Sequence, residues 1–388
     1  MLSRAFNNRG KDFMLNKLLL FIRQVFSREL PMRRWWCLVI FTTLFAVVGA
    51  ALLVFIVDPH YRYRLPRFYD TVYYQLYATA PRLLKDFQYD TLYIGSSMNR
   101  NFYLSDINKT LNVKALKLAA AGAATIDLKK LADIACKEKK GTLKEIIFSL
   151  DIYSLNKSHP NYKEFEYLYR DDFKEEYRYL FSRQTYSDIC YLLKRKMRPK
   201  KKRQHQNDPD KMFSTQYPGM RFGMSEIMAD AIQNEASHHT QTPANPPVFE
   251  KNLADELLAL VSQNPELSFR FYLAPYHIYT YCQSEQFGEA DALLRQRTRV
   301  MKELLKFPNV RLYDYQADRS LVCTPEFYSD VQHFSVEAGR LLLKKLAADE
   351  RQIRTPQEVE SNEKELRALI REQMPLYYEN LKKYKKQR

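Results

Sequence analysis

The sequence predicts an α/β domain with a mainly parallel sheet, preceded by one N-terminal transmembrane helix and followed by a helical tail. Three observations support this: five short apolar runs alternate with helical patterns, residues 35–57 carry no charge, and residues 349–388 have the composition of charged helices. Residues 156–247 differ in composition and predict a long insertion, helical in its first part. The 388 residues suffice for one large domain or two ordinary ones.

The uncharged run WWCLVIFTTLFAVVGAALLVFIV is 23 residues long, and about 20 are needed to cross a bilayer. Trp35 and Trp36 suit the membrane interface. A cleavable signal peptide is the alternative, but this run is longer than the usual hydrophobic region. No small-residue cleavage site stands at Val57-Asp58-Pro59. We therefore interpret the run as a retained anchor.

The charges around this run predict its orientation. Residues 1–34 hold eight basic and two acidic side chains, which favours a cytoplasmic N-terminal arm and an outer C-terminal domain. Basic residues at 62, 64 and 67 weaken that bias. Residues 15–26 are either an amphipathic helix on the inner leaflet or a helical extension of the anchor.

The elements follow in order after a polar and aromatic connector, residues 58–87. We predict strands at 92–94, 113–118, 144–150, 268–274 and 310–313. Helices are predicted at 73–80, 249–261 and 290–306, together with one capped by Thr125 and one opened by Ser335. The domain therefore covers residues 88–348, and the charged tail covers 349–388.

The charge balance is basic, with 61 Lys and Arg against 45 Asp and Glu. A basic surface can face lipid headgroups or a polyanionic polymer. The run at 194–203 is either such a surface or a solvated loop, and a membrane anchor argues against nucleic acid. Five cysteines show no CxxC or Cys/His ligand spacing, so no metal site and no cofactor are expected.

Two distant motifs carry the candidate chemistry. The first predicted strand ends in Gly95-Ser96-Ser97, and Asp330-Val331-Gln332-His333 follows the fifth. A carboxylate three residues before an imidazole can orient it on one turn, and the imidazole can then activate a serine. Each motif alone can arise by chance.

Together they resemble the SGNH (GDSL-like) hydrolase and acyltransferase superfamily. Gly95-Ser96-Ser97 resembles its first block with serine in place of aspartate, Gly122 in AAAGAAT falls at the second block, and Asp330 and His333 match the last. The resemblance implies a three-layer fold with Ser97 as nucleophile in preference to Ser96, His333 as base and Asp330 as its partner. It also implies an oxyanion hole built from the N–H groups of Ser97 and Gly122.

The third block departs from the family, because strand three ends in SLDIYSLN and not in Gly-x-Asn-Asp. Asp151 stands there, and we expect it to orient backbone or substrate hydroxyls, since a carboxylate would repel an oxyanion. Asn99, Arg100 and His277 are further candidates for substrate contacts. His277 ends the fourth predicted strand but has no nearby carboxylate, so His333 is the better base.

The Gly-Ser-Ser block and the single span resemble a membrane-anchored bacterial branch, related to teichoic-acid D-alanylation and to alginate and peptidoglycan O-acetylation proteins. The resemblance implies a single-pass protein of the bacterial cytoplasmic membrane with an extracytoplasmic domain. It further implies an esterase or O-acyltransferase acting on a cell-envelope polysaccharide or polymer, with a membrane-bound O-acyltransferase as partner. The alternative is a non-catalytic scaffold or binding subunit of such a system.

Overall fold

A computed structural model describes residues 32–387 apart from 67, 68, 70, 74, 171, 198–207, 215–219 and 237–243. At its centre is a six-stranded sheet with the order β2-β1-β3-β4-β5-β6. The strands are β1 (Thr91–Gly95), β2 (Ala115–Ala119), β3 (Glu145–Leu150), β4 (Ser268–Leu273), β5 (Val310–Asp314) and β6 (Gln352–Ile353). β1 to β5 are parallel and β6 is antiparallel to β5, so the predicted α/β class with a mainly parallel sheet is confirmed.

The sheet is buried on both faces. Every residue of β1, β2 and β3 is buried, because helices cover both sides of a parallel sheet. Gly95 is level with Ala119 of β2, and Ile94 is level with Phe148 of β3. The carboxyl ends of these three strands therefore meet at one edge, where ligands of open α/β sheets bind.

The helices within the described ranges are α1 (Met32–Val57), α2 (Leu76–Asp86), α3 (Leu104–Leu111), α4 (Thr125–Glu138), α5 (Ile152–Leu155), α6 (Phe173–Phe181), α7 (Arg183–Lys196), α8 (Met224–Glu235), α9 (Pro246–Lys251), α10 (Ala259–Ser262), α11 (Tyr279–Gln286), α12 (Ala290–Leu304), α13 (Arg319–Val322), α14 (Val336–Ala347) and α15 (Pro356–Gln387). A π-helical segment (Asn252–Leu258) joins α9 to α10.

One sequence prediction about helices needs correction. α4 begins at Thr125, but the capping residue is Ala124, whose N–H donates to the Asp127 carboxylate at 2.9 Å. The predicted helical tail is confirmed: it is one continuous helix, α15, which packs against α8, α11 and α12. β6 was not predicted, because two residues are too few to show a periodicity.

The predicted start of α14 at Ser335 is confirmed, since the Ser335 hydroxyl accepts from the Ala338 N–H.

α1 is long and apolar enough to cross a membrane, and most of its surface is exposed. A signal sequence near the N-terminus meets the same criterion. Its C-terminal end packs against α6 and α7, and Val54 is buried there. Residues 1–31, including the predicted amphipathic segment 15–26, lie outside the described residues.

A buried carboxylate joins the end of α1 to the insertion. Asp58, at a positive φ of 47°, accepts hydrogen bonds from the N–H groups of Arg62, Tyr63 and Arg64 at 2.8–3.0 Å. It also accepts from the Tyr179 hydroxyl of α6 at 2.6 Å. Burial raises the pKa of Asp58, and the hydrogen bonds oppose that rise. The insertion is therefore fixed to the end of α1.

The first part of the insertion is helical, as expected, and forms α6 and α7. The basic run predicted at 194–203 ends α7 with its first residues, while 198–203 lie outside the described residues. All five cysteines fall in described parts of the chain, and each is unpaired.

Candidate functional site

Ser97 occupies a sharp turn at the carboxyl end of β1. Ser96 precedes it, is buried, and accepts from the Met98 N–H through its hydroxyl at 3.4 Å. Ser97 opens a short 3₁₀ helix, Ser97–Asn99, and is half-buried. The turn thus uses the Ser96 hydroxyl as a cap and presents the Ser97 hydroxyl.

Glycine is required at position 95 for steric reasons. A Cβ on Gly95 would lie 2.6 Å from Cβ of Ser149 and 2.7 Å from Nδ2 of Asn99. Real Cβ atoms do not approach other heavy atoms so closely, so a side chain here would force β1 and β3 apart or displace Asn99. The Ser97 turn therefore depends on the close contact of these strands.

His333 contacts Ser97 across 236 residues of sequence. Its Nε2 lies 2.8 Å from Oγ of Ser97, and its Nδ1 lies 2.8 Å from Oδ2 of Asp330. The other Asp330 oxygen accepts from the N–H groups of Gln332 and His333 at 2.8 and 2.7 Å. A carboxylate held in this way keeps the proton on Nδ1 and leaves the lone pair of Nε2 facing the serine.

The charges of the site stabilise this arrangement. Burial acts to raise the pKa of Asp330, but the hydrogen bond and charge of His333 outweigh it and lower the pKa overall. Burial also opposes a charged His333, yet Asp330 outweighs it and raises the pKa of His333 above 6.5. Arg100 lowers the pKa of His333 and Asp151 raises it, so both charges are felt at the imidazole.

The loop that carries His333 is held by the first turn of α11 and by the residues just before that helix. The Val331 carbonyl accepts from the His277 N–H at 3.1 Å and from the Thr280 hydroxyl. His277 is buried, and Nδ1 of its ring accepts from the Tyr279 N–H at 3.2 Å. Burial lowers the pKa of His277 to about 3, so the ring is neutral. This predicted contact residue therefore supports the loop in the structure.

Asp230 of α8 is a residue that the sequence analysis missed. Its carboxylate accepts from the Val331 N–H at 3.3 Å. Burial raises the pKa of Asp230, and the neighbouring Asp330 charge adds to the rise. The insertion thus contributes a second carboxylate beside the Asp330–His333 loop, and no motif in its polar sequence indicated this.

Gly122 and Asp151 lie at the same sheet edge as Ser97. Gly122 is exposed in the turn after β2, with φ of +64°, and its carbonyl accepts from Lys157 and Asn161 at 3.0 and 3.1 Å. Asp151 caps α5 by accepting from the Tyr153 N–H, and it accepts from a tyrosine hydroxyl at 2.8 Å. Asp151 therefore orients backbone and a protein hydroxyl, and its predicted contact with substrate hydroxyls stays a prediction.

Asn99, another predicted contact residue, is fully buried. Its Oδ1 accepts from the Tyr272 hydroxyl at 2.9 Å, and a second bond of 2.7 Å joins that hydroxyl to Tyr93. Its Nδ2 has no hydrogen-bond partner among the described residues. Asn99 thus supports the turn from the core side, whereas Arg100 lies at a cleft.

Lys117 of β2 is a second residue that the sequence analysis missed. It is fully buried and donates to the Phe102 carbonyl at 2.6 Å and to the Arg100 carbonyl at 3.4 Å. Burial lowers the pKa of Lys117 to about 7. Its role is to hold the backbone just after the Ser97 turn, and an alternating apolar and basic strand pattern did not indicate burial of the charge.

Comparison with known proteins adds no family assignment, because no family model matches the chain and a search of curated proteins finds no relative. Within the described ranges there is also no cluster of three or more His, Cys, Asp or Glu side chains suited to a metal ion. The geometry of the site is therefore the basis for the proposed function.

Proposed function

We propose that the chain is a serine O-acyl esterase or O-acyltransferase with a Ser97–His333–Asp330 triad. The observation that carries the proposal is the hydrogen-bond chain from Ser97 Oγ through the imidazole to Asp330, with 2.8 Å at each link. A hydroxyl beside an oriented imidazole is the arrangement that activates a serine nucleophile.

In this mechanism Ser97 Oγ bonds to the carbonyl carbon of an ester or thioester, and its proton passes to Nε2 of His333. The tetrahedral intermediate then collapses, its bond to the leaving group breaks, and the leaving group takes that proton. Water or an acceptor hydroxyl next gives a proton to His333 and bonds to the acyl carbon. The acyl–Ser97 bond breaks and Ser97 regains its proton. Water makes the protein an esterase, and a glycan hydroxyl makes it a transferase.

The N–H groups of Ser97 and Gly122 are our candidates for oxyanion donors. Support comes from the parallel register, because Gly95 is level with Ala119 and the Ala120 N–H donates to the Gly95 carbonyl at 2.9 Å. Both turns thus leave the sheet side by side. An N–H pair at such an edge can stabilise the charge that develops on the carbonyl oxygen.

We further propose that the substrate is a polymer or glycan of the bacterial cell envelope. In this proposal α1 is a single-pass anchor that keeps the domain at the outer face of the cytoplasmic membrane, where a membrane-bound O-acyltransferase supplies the acyl group. Support comes from the apolar, exposed surface of α1 and from its firm connection to the insertion through Asp58.

Active-site labelling tests the proposal. The full chain in detergent is treated with a fluorophosphonate, and the modified residue is identified by mass spectrometry. We expect label on Ser97 that is absent in Ser97→Ala and at least about 100-fold slower in His333→Ala. Ser96→Ala is the matched control and keeps the label, because its hydroxyl only caps the turn. An unlabelled wild type, or equal labelling in Ser97→Ala, would leave the scaffold or binding subunit as the better function.

A further inference from the structure

Two helices of the insertion contact α1 inside its uncharged run. α6 and α7 pack against the C-terminal end of α1, where Val54 is buried in one apolar cluster with Tyr179 of α6 and Ile189 of α7. From Trp35 to Val54 a helix rises roughly 28 Å, and the hydrocarbon core of a bilayer is about 30 Å thick. Where α1 spans a bilayer, α6 and α7 therefore lie at the level of the lipid headgroups.

The C-terminal end of α1 has the contacts expected at a membrane–water interface. The guanidinium of Arg64 donates to the carbonyl of Phe55 at 2.8 Å and to that of Ile56 at 3.2 Å. It also lies 4.9 Å from the centre of the Phe55 ring. Long basic side chains near the end of a membrane helix place their charge at the interface in this way. This contact supports the same level for the end of α1, and therefore for α6 and α7.

The exposed surfaces of α6 and α7 combine large apolar side chains with basic ones. Along both helices the exposed positions recur mostly at intervals of three and four residues, so each helix has one exposed face. The large apolar side chains are 45–79% exposed and comprise Tyr177, Phe181, Leu193 and, just after α7, Met197. The exposed charged side chains are all basic and comprise Lys174, Arg178, Arg183, Lys194 and Lys196. Together these side chains form the outer face of the two helices.

The composition of the outer face fits an anionic bilayer. Aromatic side chains suit the headgroup region, and basic side chains near a membrane surface attract anionic lipid phosphates. A second copy of this chain fits less well, because two copies of a face whose charges are all basic would repel each other. At the level of the lipid headgroups, lipid phosphates are the anions that surround the outer face on every side. Lipid is therefore the occupant that both the position and the charge of the outer face favour.

We propose that α6 and α7 form a second membrane contact, lying in the headgroup layer of the leaflet from which the domain emerges. The apolar side chains of the outer face enter the boundary between headgroups and acyl chains, and its basic side chains contact lipid phosphates. The inference rests on the anchor role of α1 in the proposed function. It fixes the height of the Ser97 edge above the bilayer, because the insertion also contacts that edge through the hydrogen bond from Asn161 to the Gly122 carbonyl.

Quenching of tryptophan fluorescence by brominated lipids tests this contact. The only two tryptophans of the chain, Trp35 and Trp36, are changed to Phe, and one new tryptophan is introduced as Phe181→Trp or Leu193→Trp. The full-length protein is reconstituted as a single copy in nanodiscs whose acyl chains are brominated near the headgroup. An interfacial helix buries its apolar face about 5–10 Å into the headgroup boundary, so we expect fluorescence at least about 2-fold lower than in unbrominated lipid.

Tyr378→Trp in the same tryptophan-free protein is the matched control. Tyr378 is 47% exposed on α15, and Asn362 of that helix contacts Asp314 at the end of β5. The insertion packs on α2 at the β2 end of the sheet, so α15 lies towards the other end. We expect the fluorescence of this control to be the same in brominated and unbrominated lipid.

Lipid charge provides a second measurement. In the Leu193→Trp protein, quenching should be stronger in brominated phosphatidylglycerol than in brominated phosphatidylcholine, because the basic side chains draw the outer face towards anionic phosphates. Adding Arg183→Gln and Lys194→Gln should remove that difference. Arg299→Gln with Lys306→Gln, which changes two exposed basic residues at α12, is the matched control and should keep it. Equal quenching in the two lipids, or a difference that survives Arg183→Gln with Lys194→Gln, would overturn the role of anionic lipid.

The unmodified chain reports on the anchor separately, through Trp35 and Trp36. Quenching of these two without quenching at positions 181 and 193 would leave α1 as an anchor and overturn the second contact, with a protein partner as the better occupant of the outer face. The absence of quenching at all four positions would overturn the anchor and the second contact together. Fluorophosphonate labelling of Ser97 in the same nanodiscs shows separately whether the acyl chemistry holds, since quenching does not require catalysis.

Discussion

The side-chain amide of Asn101 donates to the carbonyl of Phe334 at 2.7 Å. Asn101 follows the Ser97 turn, and Phe334 follows His333, so this buried bond joins the two halves of the site. Gly339 of α14 strengthens the same contact, because its Cα lies so close to Phe102 that a Cβ would be 3.2 Å from the ring. The serine and the histidine are thus held together by contacts between the residues that follow them.

Asn101→Ala should loosen this connection. The Phe334 carbonyl would lose a buried donor, which costs about 1–3 kcal/mol. We expect a lower free energy of unfolding and slower fluorophosphonate labelling of Ser97. Gln263→Ala, which removes an exposed amide, is the control and should change neither. Normal labelling at full stability in Asn101→Ala would contradict the connecting role.

Asp330→Asn should slow labelling of Ser97 by about 10²–10⁴-fold while the fold persists. The amide can still contact Nδ1 of His333, but it no longer stabilises the imidazolium or fixes the tautomer. Asp230→Asn is the matched control, since it changes a carboxylate on α8 that contacts the same loop but not the imidazole. We expect a much smaller effect there. Similar rates in the two variants would refute the assigned role of Asp330.

The labelling rate should rise with pH through the pKa of His333, because only the neutral imidazole can accept the Ser97 proton. Asp330 raises that pKa above 6.5, so activity is lost as the pH falls through this raised value. Arg100 lowers the same pKa, so Arg100→Gln should move the acid limb to higher pH. Asp330→Asn should move it to lower pH. Labelling rates of the wild type, Arg100→Gln and Asp330→Asn, measured as a function of pH, check the direction of both shifts.

Gly95→Ala should destabilise the domain by about 1–3 kcal/mol, because the new methyl group has no space between β1 and β3. Thermal unfolding of the full chain in detergent measures the loss, and labelling of Ser97 should slow as the turn shifts. Gly49→Ala is the control, since nothing lies within 4 Å of a Cβ at that position. An equal unfolding temperature in both variants would show that the strands can adjust.

Lys117 should make stability depend on pH. Its pKa is about 7 in the folded chain against 10.5 ordinarily, so the folded state carries the full cost of burying the charge below pH 7. As the pH rises from 7 to about 9, the folded state releases this proton while the unfolded state keeps it, and stability increases. Lys117→Met should lack that increase. Denaturant unfolding of the wild type and of Lys117→Met over this pH range gives the free energy of unfolding of each as a function of pH. Parallel slopes in the two proteins would exclude a titrating Lys117.

Local sequence patterns were sufficient to predict the five parallel strands. β1 to β5 were located to within a few residues, because strands buried on both faces are rich in apolar residues. β6 and the cap of α4 were not predicted correctly, since they depend on a neighbouring strand and on a carboxylate within the first turn. The order of the strands is likewise a property of long-range pairing.

The sequence by itself determined the residues proposed for chemistry, because glycine and serines at a strand end and a carboxylate three residues before a histidine are local patterns. Only the tertiary structure decided that Ser97 Oγ and His333 Nε2 lie 2.8 Å apart, since 236 residues separate them. It also decided the parts played by Asn101, Asp230 and Lys117, and the contact of α6 and α7 with the end of α1. Burial and unpaired polar atoms arise when distant segments pack, so no local pattern can report them.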